Sequence, residues 1–452
     1  MARYRVIAVC TIVAGFFTPA HAHDETAYRG LSDNSIASSP PPALADPGGV
    51  RRALAARGIQ FAVGYISDIL SNPSGGVTQS THYAGLVEAS VDIDLETLAG
   101  WRGLNFHADA FQIHGTSISA ENLGSIVSVS NIEAWPSTRL FELWFEQSLF
   151  EDKLSVRFGQ LAADAEFLIA ESAGVFIAST FGWTTLSSDN LPIGGPIYPI
   201  ATPGVRVAVS PNEDLKLMVG VWNGDPVGSC PDDLDPGQCN ESGLDFRLKD
   251  PPLLLAEADY AYNRDGRMLG TFKLGGWRHF GKFDDQRFDL NGGLQGITGL
   301  APLRLDGNYG IYAVIDQMIY RLPGESDARG ISVFARVVGS PSDRNQVDAY
   351  ADAGIVFTGL IPRRPNDVFG VGFAYTGISD DASGFDRDSG LSVIRDYEGI
   401  LEITYTAEIR PGWILQPDFQ YVWNPGGNVP DDSGGRAVKD AIVVGARSTI
   451  SF

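Results

Sequence analysis

The 452-residue sequence predicts an all-β fold: a transmembrane antiparallel β-barrel of about sixteen strands with an aqueous lumen. Three observations carry the prediction. Apolar and polar residues alternate one by one in segment after segment, the spacing of a strand with two unlike faces. The connections between these segments alternate between long and short. The chain ends on an alternating segment that closes with an aromatic residue, Phe452.

Residues 1–22 read as an export signal. Arg3 and Arg5 precede an apolar run at 6–17, and Ala20-His21-Ala22 supplies a small-residue cleavage site after Ala22. The run is shorter than the roughly 20 residues of a membrane helix, and Cys10 is expected to leave with the signal. Residues 23–57 follow as an N-terminal periplasmic segment, and 58–452 as the barrel. No later stretch reaches the length of a membrane helix, whereas barrel strands need only about 9–11 residues each.

The alternating segments are 59–69, 82–95, 104–110, 139–148, 154–160, 204–210, 215–222 and 253–262, followed by 270–279, 308–320, 330–338, 348–359, 368–379, 397–409, 413–423 and 438–452. The segment 308–320 slips phase near Gln317. Connections leaving odd-numbered segments are long: 112–136, 161–203, 223–252, 280–307, 380–395 and 424–437. Those leaving even-numbered segments are short: 149–153, 211–214, 263–268, 361–367 and 410–412. Extracellular loops and periplasmic turns follow this rhythm in outer-membrane barrels.

The stretch RLFELWFEQSLF (139–150) shows what the alternation means. Phe141, Leu143 and Phe145 share one face, and Glu142, Trp144 and Glu146 share the other. In a barrel the apolar face meets lipid, so the Glu-Trp-Glu row faces a wet lumen. Arg139 falls on the lipid-facing parity and is expected at the strand end. The same register turns Arg157, Arg206, Asp316, Arg336, Glu402 and Arg447 inward. Acids and bases facing one another across a pore set up a transverse field and hydrogen-bond hydroxyls without gripping an ion. The alternative is a set of wall salt bridges that keep the lumen solvated.

Charge and motifs narrow the function. The formal net charge is −22, and loss of Arg3 and Arg5 makes it two units more negative. Such a surface repels nucleic acid and reads as a solvated acidic exterior. No G-x-S-x-G, H-E-x-x-H or phosphate-binding loop occurs. Glu142 and Glu146 lie roughly 13 Å apart along one strand at about 3.3 Å per residue, too far for a glycosidase pair at about 5–9.5 Å. His82, His107 and His114 are scattered and read as wall histidines. Cys230 and Cys239 are expected to form a disulfide in an oxidising compartment, stabilising a short loop by about 2–3 kcal/mol. Asp232, Asp233 and Asp235 lie between them without the length of an EF-hand loop, and read as a solvated acidic turn rather than a Ca²⁺ site.

The chain resembles the OprB-type carbohydrate-selective porins. The matching stretches are LFELWFEQ (140–147), FGQLAADAEF (158–167), STFGW (179–183), GGPIYP (194–199), PGVRV (203–207), WNGD (222–225), AVIDQMIY (313–320) and QPDFQYVWNPGG (416–427). They keep their order over nearly all of the chain after the signal. The entry segment DPGGVRRALAARGI (46–59) departs by lacking the family's frequent Trp, but keeps Gly48, Gly49, Arg51, Leu54 and Gly58. The resemblance implies passive diffusion of small carbohydrates, such as glucose, across the outer membrane, with no cofactor. It implies that the third loop, 161–203, folds into the lumen and sets the constriction. Phe181, Trp183 and Tyr198 would offer flat faces to a sugar ring there, or pack the loop against the wall. The expected partners are small sugars, outer-membrane lipid and lipopolysaccharide, and the barrel-assembly machinery through Phe452; a homotrimer or a monomer fits equally. The competing readings are a general porin without sugar preference, a barrel enzyme and a secreted lectin.

Overall fold

The structure, a computed structural model, describes residues 35–39 and 45–452, apart from 232–233, 265–267, 323–328 and 432–433. The expected signal, much of the 23–57 segment, and Asp232 and Asp233 lie outside the described residues. A short helix, Val50–Ala55, precedes the first strand. Asp46 caps it by accepting the backbone N–H groups of Arg51 and Arg52.

Sixteen strands follow, as the alternation predicts: β1 Ile59–Gly76, β2 Thr81–Asp94, β3 Leu104–Gly115, β4 Ser137–Leu149, β5 Leu154–Leu161, β6 Thr202–Val209, β7 Leu215–Asn223 and β8 Pro252–Tyr262, then β9 Gly270–Asp289, β10 Pro302–Arg321, β11 Gly330–Gly339, β12 Val347–Thr358, β13 Val368–Ile378, β14 Tyr397–Arg410, β15 Trp413–Trp423 and β16 Lys439–Ser451. Each pairs antiparallel with its sequence neighbours, and β1 pairs with β16, so the sheet closes and leaves no edge. At the seam Asp68 faces Arg447, and two 2.8 Å hydrogen bonds join them. Phe452 exchanges backbone hydrogen bonds with Val63.

The two faces are inverted relative to a soluble sheet. Val205, Val207, Val209, Leu217, Val219 and Val221 are exposed on the outside, while Arg206, Arg336, Asp352 and Glu402 are buried inside. A polar exterior would cost several kcal/mol per unsatisfied group in hydrocarbon, so this pattern is stable only with lipid outside. Ring pairs such as Tyr375–Tyr397 and Tyr421–Trp423 sit towards the strand ends on the outer face, where aromatic girdles meet the membrane interface. No helix among the described residues is long and apolar enough to cross a membrane.

Bulges account for the places where alternation misleads. The phase slip near Gln317 is a register shift between Met318 and Tyr320. Further shifts at 302–304 and 306–308 break the two-residue period. The connection expected at 280–307 is therefore largely strand: β9 runs to Asp289 and β10 starts at Pro302. A further bulge lies in β4. There Ala108 pairs with Leu143 and Ala110 with Leu140, so Phe141 and Glu142 together oppose Asp109. Phase flips across it. Leu143 and Phe145 face outwards as expected, but Phe141 and Arg139 face inwards with Glu142. Phe141 stacks on Phe111, and Arg139 donates to the carbonyls of Gly237, Asn240 and Pro199. The backbone N–H of Glu142, left without a ladder partner, donates to Asp109 Oδ1 at 2.6 Å.

The apolar core lies inside the barrel, where two loops fold back into the lumen: loop 2 (116–136) after β3 and loop 3 (162–201) after β5. Val127, Val129, Phe167, Phe176, Phe181, Trp183 and Leu186 are buried there against inward wall residues such as Trp222, Phe334 and Tyr350. A smaller cluster joins Ile132 and Ala201 to Phe111 and Phe141. The wall makes room for it. A Cβ on Gly372 of β13 would lie 2.8 Å from the Phe176 ring and 2.9 Å from the Phe181 ring, so the loop aromatics seat directly on backbone.

Candidate functional site: the loop-filled lumen

Loop 3 is built of short helical turns and is fastened to the wall. Carboxylates accept its backbone N–H groups. Glu142 takes Ala162 at 2.7 Å, Glu257 takes Leu168 at 2.8 Å, and Glu402 takes Ile177 and Ala178 at 2.6 and 2.9 Å. Asp316 takes both the N–H and the hydroxyl of Ser172, at 2.6 and 2.7 Å. The carbonyls are satisfied in the opposite sense. Arg336, 1% exposed, donates to Leu168, Gly182 and Thr180 at 3.1, 2.6 and 2.8 Å, and is oriented by Asp352. Gln416 donates to Val175 at 2.8 Å. A buried irregular loop needs such partners, because each orphaned polar group costs about 1–3 kcal/mol.

Loop 2 is anchored in the same way. Glu398 accepts from Ile126 and Val127 at 2.9 and 2.8 Å, and Gln420 donates to the Val129 carbonyl at 2.8 Å. Ser130 donates to Asp68 at 2.6 Å, and Arg447 donates to Asn131 at 2.8 Å. The two loops also bond to each other: Asn131 N–H to Ile177 O at 2.8 Å and Ser179 N–H to Ser128 O at 2.9 Å.

Between them lies a cavity of about 420 Å³, within the ~300–1,000 Å³ of small-molecule sites. Ser128 and Asn131 of loop 2 line it, with Asp164, Ser179, Trp183 and Asp189 of loop 3. Burial pushes the Asp164 carboxyl up to about 7. Nearby, Glu146 of β4 and Glu166 of loop 3 meet Arg157 and Arg206 at 2.6–3.4 Å. Burial alone would raise the Glu166 carboxyl, but the two guanidinium groups outweigh it and hold the group at about 2.

Residues 78–452 match the family of carbohydrate-selective porins, OprB family. The chain belongs to that family. As a carbohydrate-selective porin it is a channel of the bacterial outer membrane. Porin B of Pseudomonas aeruginosa is 26% identical over 413 residues, covering 85% of this chain and 87% of that protein. The putative porin QuiX of Acinetobacter baylyi is 20% identical over 438 residues, covering 90% and 92%. The high-pH structure of Pseudomonas putida OprB superposes with a TM-score of 0.80 at 23% identity, covering 90% of this chain and 97% of that one.

Within this porin the expected inward parity of Glu142, Trp144, Glu146, Arg157, Arg206, Asp316, Arg336, Glu402 and Arg447 places them on the inner wall, but most do not look onto open lumen. Glu142, Asp316, Arg336 and Glu402 lie beneath loop 3 and hold it, and Arg447 holds loop 2. Trp144 is sandwiched, with His107 stacked at 4.9 Å on one side and the Arg157 guanidinium 3.9 Å from its ring centroid. Glu146 keeps part of its carboxylate accessible. Phe181 packs against Phe176 at 4.4 Å, and Tyr198 against Phe111 at 5.6 Å. Trp183 reaches the cavity wall, 6% exposed. Cys230 and Cys239 form the expected disulfide, with Cα atoms 5.8 Å apart, and Asp235 accepts the Gly237 N–H in a turn.

Alternation shows 112–136 only as a long connection, not its fold into the lumen, and does not single out the anchors Glu398, Gln420, Asp68, Glu257 and Asp352. Their signal was in the sequence. Glu398 and Glu402 share one face of EGILEIT, and Gln416, Asp418 and Gln420 one face of QPDFQ. Polar rows at inward parity look alike whether they meet water or a loop.

Proposed function

We propose that monosaccharides such as glucose diffuse passively through the passage between loops 2 and 3, and that the cavity there provides the sugar selectivity. The cavity carries the reading. Hydroxyl, amide and carboxylate groups of Ser128, Asn131, Asp164, Ser179 and Asp189 surround it, beside an edge of Trp183. Hydroxyl-rich solutes satisfy such a set, and an amphipathic ring fits an indole edge. Glu146 and Glu166, paired with Arg157 and Arg206, extend the hydrogen-bonding surface. Binding must stay weak for flux to continue. The exposed Phe452, closing β16, serves in this reading as the signal to the barrel-assembly machinery. Liposome swelling with monosaccharides, disaccharides and amino acids tests the proposal. Monosaccharides should pass fastest, and Asn131→Leu with Ser179→Val should erase their advantage while leaving amino-acid flux in place. Equal rates for all three solute classes in the parent protein overturn it in favour of a general porin.

A further inference from the structure

Beneath the root of loop 3, His107 of β3 sits in a nest of acids. Its Nδ1 is 2.7 Å from Asp92 Oδ1 on β2. Its Nε2 has no hydrogen-bond partner although the side chain is only 1% exposed, and it points towards Asp109, whose Oδ2 is 3.7 Å away. One ligand atom each from His107, Asp109 and Glu142 fall within 4.8 Å of one another, and all three residues are buried. Glu88 of β2 stands within electrostatic reach of the group. The nest therefore gathers three buried ligand groups, with an unpartnered imidazole nitrogen aimed among them.

We infer that His107 Nε2, Asp109 Oδ2 and Glu142 together bind a divalent transition-metal cation, with Zn²⁺ the best fit. One imidazole nitrogen and two carboxylates are ligands that Zn²⁺ accepts in a four-coordinate site, the fourth position going to water. Calcium needs six to eight oxygens and magnesium a near-ideal octahedron, and neither is favoured by an imidazole. The Asp92 hydrogen bond is the familiar outer partner of a metal-bound histidine. It fixes the proton on Nδ1 and leaves the Nε2 lone pair for the metal. The β4 bulge makes the geometry: Asp109 Oδ1 is taken by the Glu142 N–H, which leaves Oδ2 for the ion. Ligands about 2.0–2.2 Å from Zn²⁺ lie about 3.3 Å apart, so the three atoms, which lie within 4.8 Å of one another, draw together on the ion. The ion displaces any proton on Nε2. It ties β3 to β4 across the bulge and fixes Glu142, whose carboxylate holds Ala162 at the start of loop 3.

The test uses the full porin folded in detergent, stripped with a chelator and equilibrated with Zn²⁺ or Co²⁺. Elemental analysis after desalting should find one equivalent of Zn²⁺ on the parent protein and background on His107→Gln. Asp92→Asn, which keeps all three ligands, should weaken Zn²⁺ affinity about 10–100-fold. Bound Co²⁺ should lose the absorption of the hydrated ion and gain that of a low-coordinate nitrogen–oxygen site. Should His107→Gln fail to fold, the Asp92→Asn affinity and the parent Co²⁺ spectrum decide. Zn²⁺ retained equally by parent and His107→Gln, an unaltered Asp92→Asn affinity, or a Co²⁺ spectrum that stays that of the hydrated ion overturns the inference.

Discussion

Replacing Arg336 by alanine should unfasten loop 3 while leaving the barrel intact. The guanidinium donates to three loop carbonyls, at Leu168, Thr180 and Gly182, and pairs with the fully buried Asp352. Its removal orphans those carbonyls and leaves Asp352 with Tyr350 as its remaining side-chain donor. Breaking a buried pair by deleting one partner costs about 3–5 kcal/mol. At about 1.4 kcal/mol per decade, the ratio of docked to undocked loop falls by roughly two to three and a half orders of magnitude. The strand ladder of β11 with β10 and β12 uses backbone groups and is untouched. Planar-bilayer recordings should show higher single-channel conductance, and liposome swelling should show disaccharides gaining on monosaccharides. Heat-modifiable mobility should remain that of a folded barrel. Arg336→Lys, which keeps the charge but loses the planar fork, should fall between. If Arg336→Ala inserts normally and keeps the parent's conductance and flux ratio, loop 3 does not set the pore.

Three further outcomes follow from the same structure. Gly372→Val would drive a side chain into the Phe176 and Phe181 rings, so conductance should rise as in Arg336→Ala, whereas Gly434→Val, where an added Cβ meets nothing except its left-handed backbone, should leave conductance unchanged. Val219, 47% exposed on the outer face of β7, should tolerate leucine, but Val219→Arg should cost about 2–4 kcal/mol at mid-membrane and lower the folded yield in lipid vesicles. The Asp164 carboxyl is raised by burial from its ordinary 3.8 to about 7, so ionising it penalises the docked loop. Docking should weaken as pH climbs through that window, with conductance rising between about pH 4 and 7, and Asp164→Asn should flatten this rise; an identical pH profile in the variant would remove Asp164 from the account.

The sequence by itself determined the wall of this protein. A strand has a two-residue period, and lipid on one side forces every second residue to be apolar, so sixteen strands, their order and the inward turn of Arg157, Arg206 and Asp316 are local properties that alternation displays. Loop lengths alternate because the two membrane faces differ, and that too is visible residue by residue. Only the tertiary structure decided what fills the lumen. Inward polarity is the same letter pattern whether Glu402 meets water or the Ile177 and Ala178 N–H groups more than two hundred positions away, so acids that read as pore lining turned out to fasten loops. The β4 bulge was equally invisible: one extra residue opposite Asp109 turns Arg139 and Phe141 inwards, and period-two counting has no term for it. The convergence of His107, Asp109 and Glu142 depends on that same bulge and on the pairing of β3 with β4, which bring together residues separated by a whole loop.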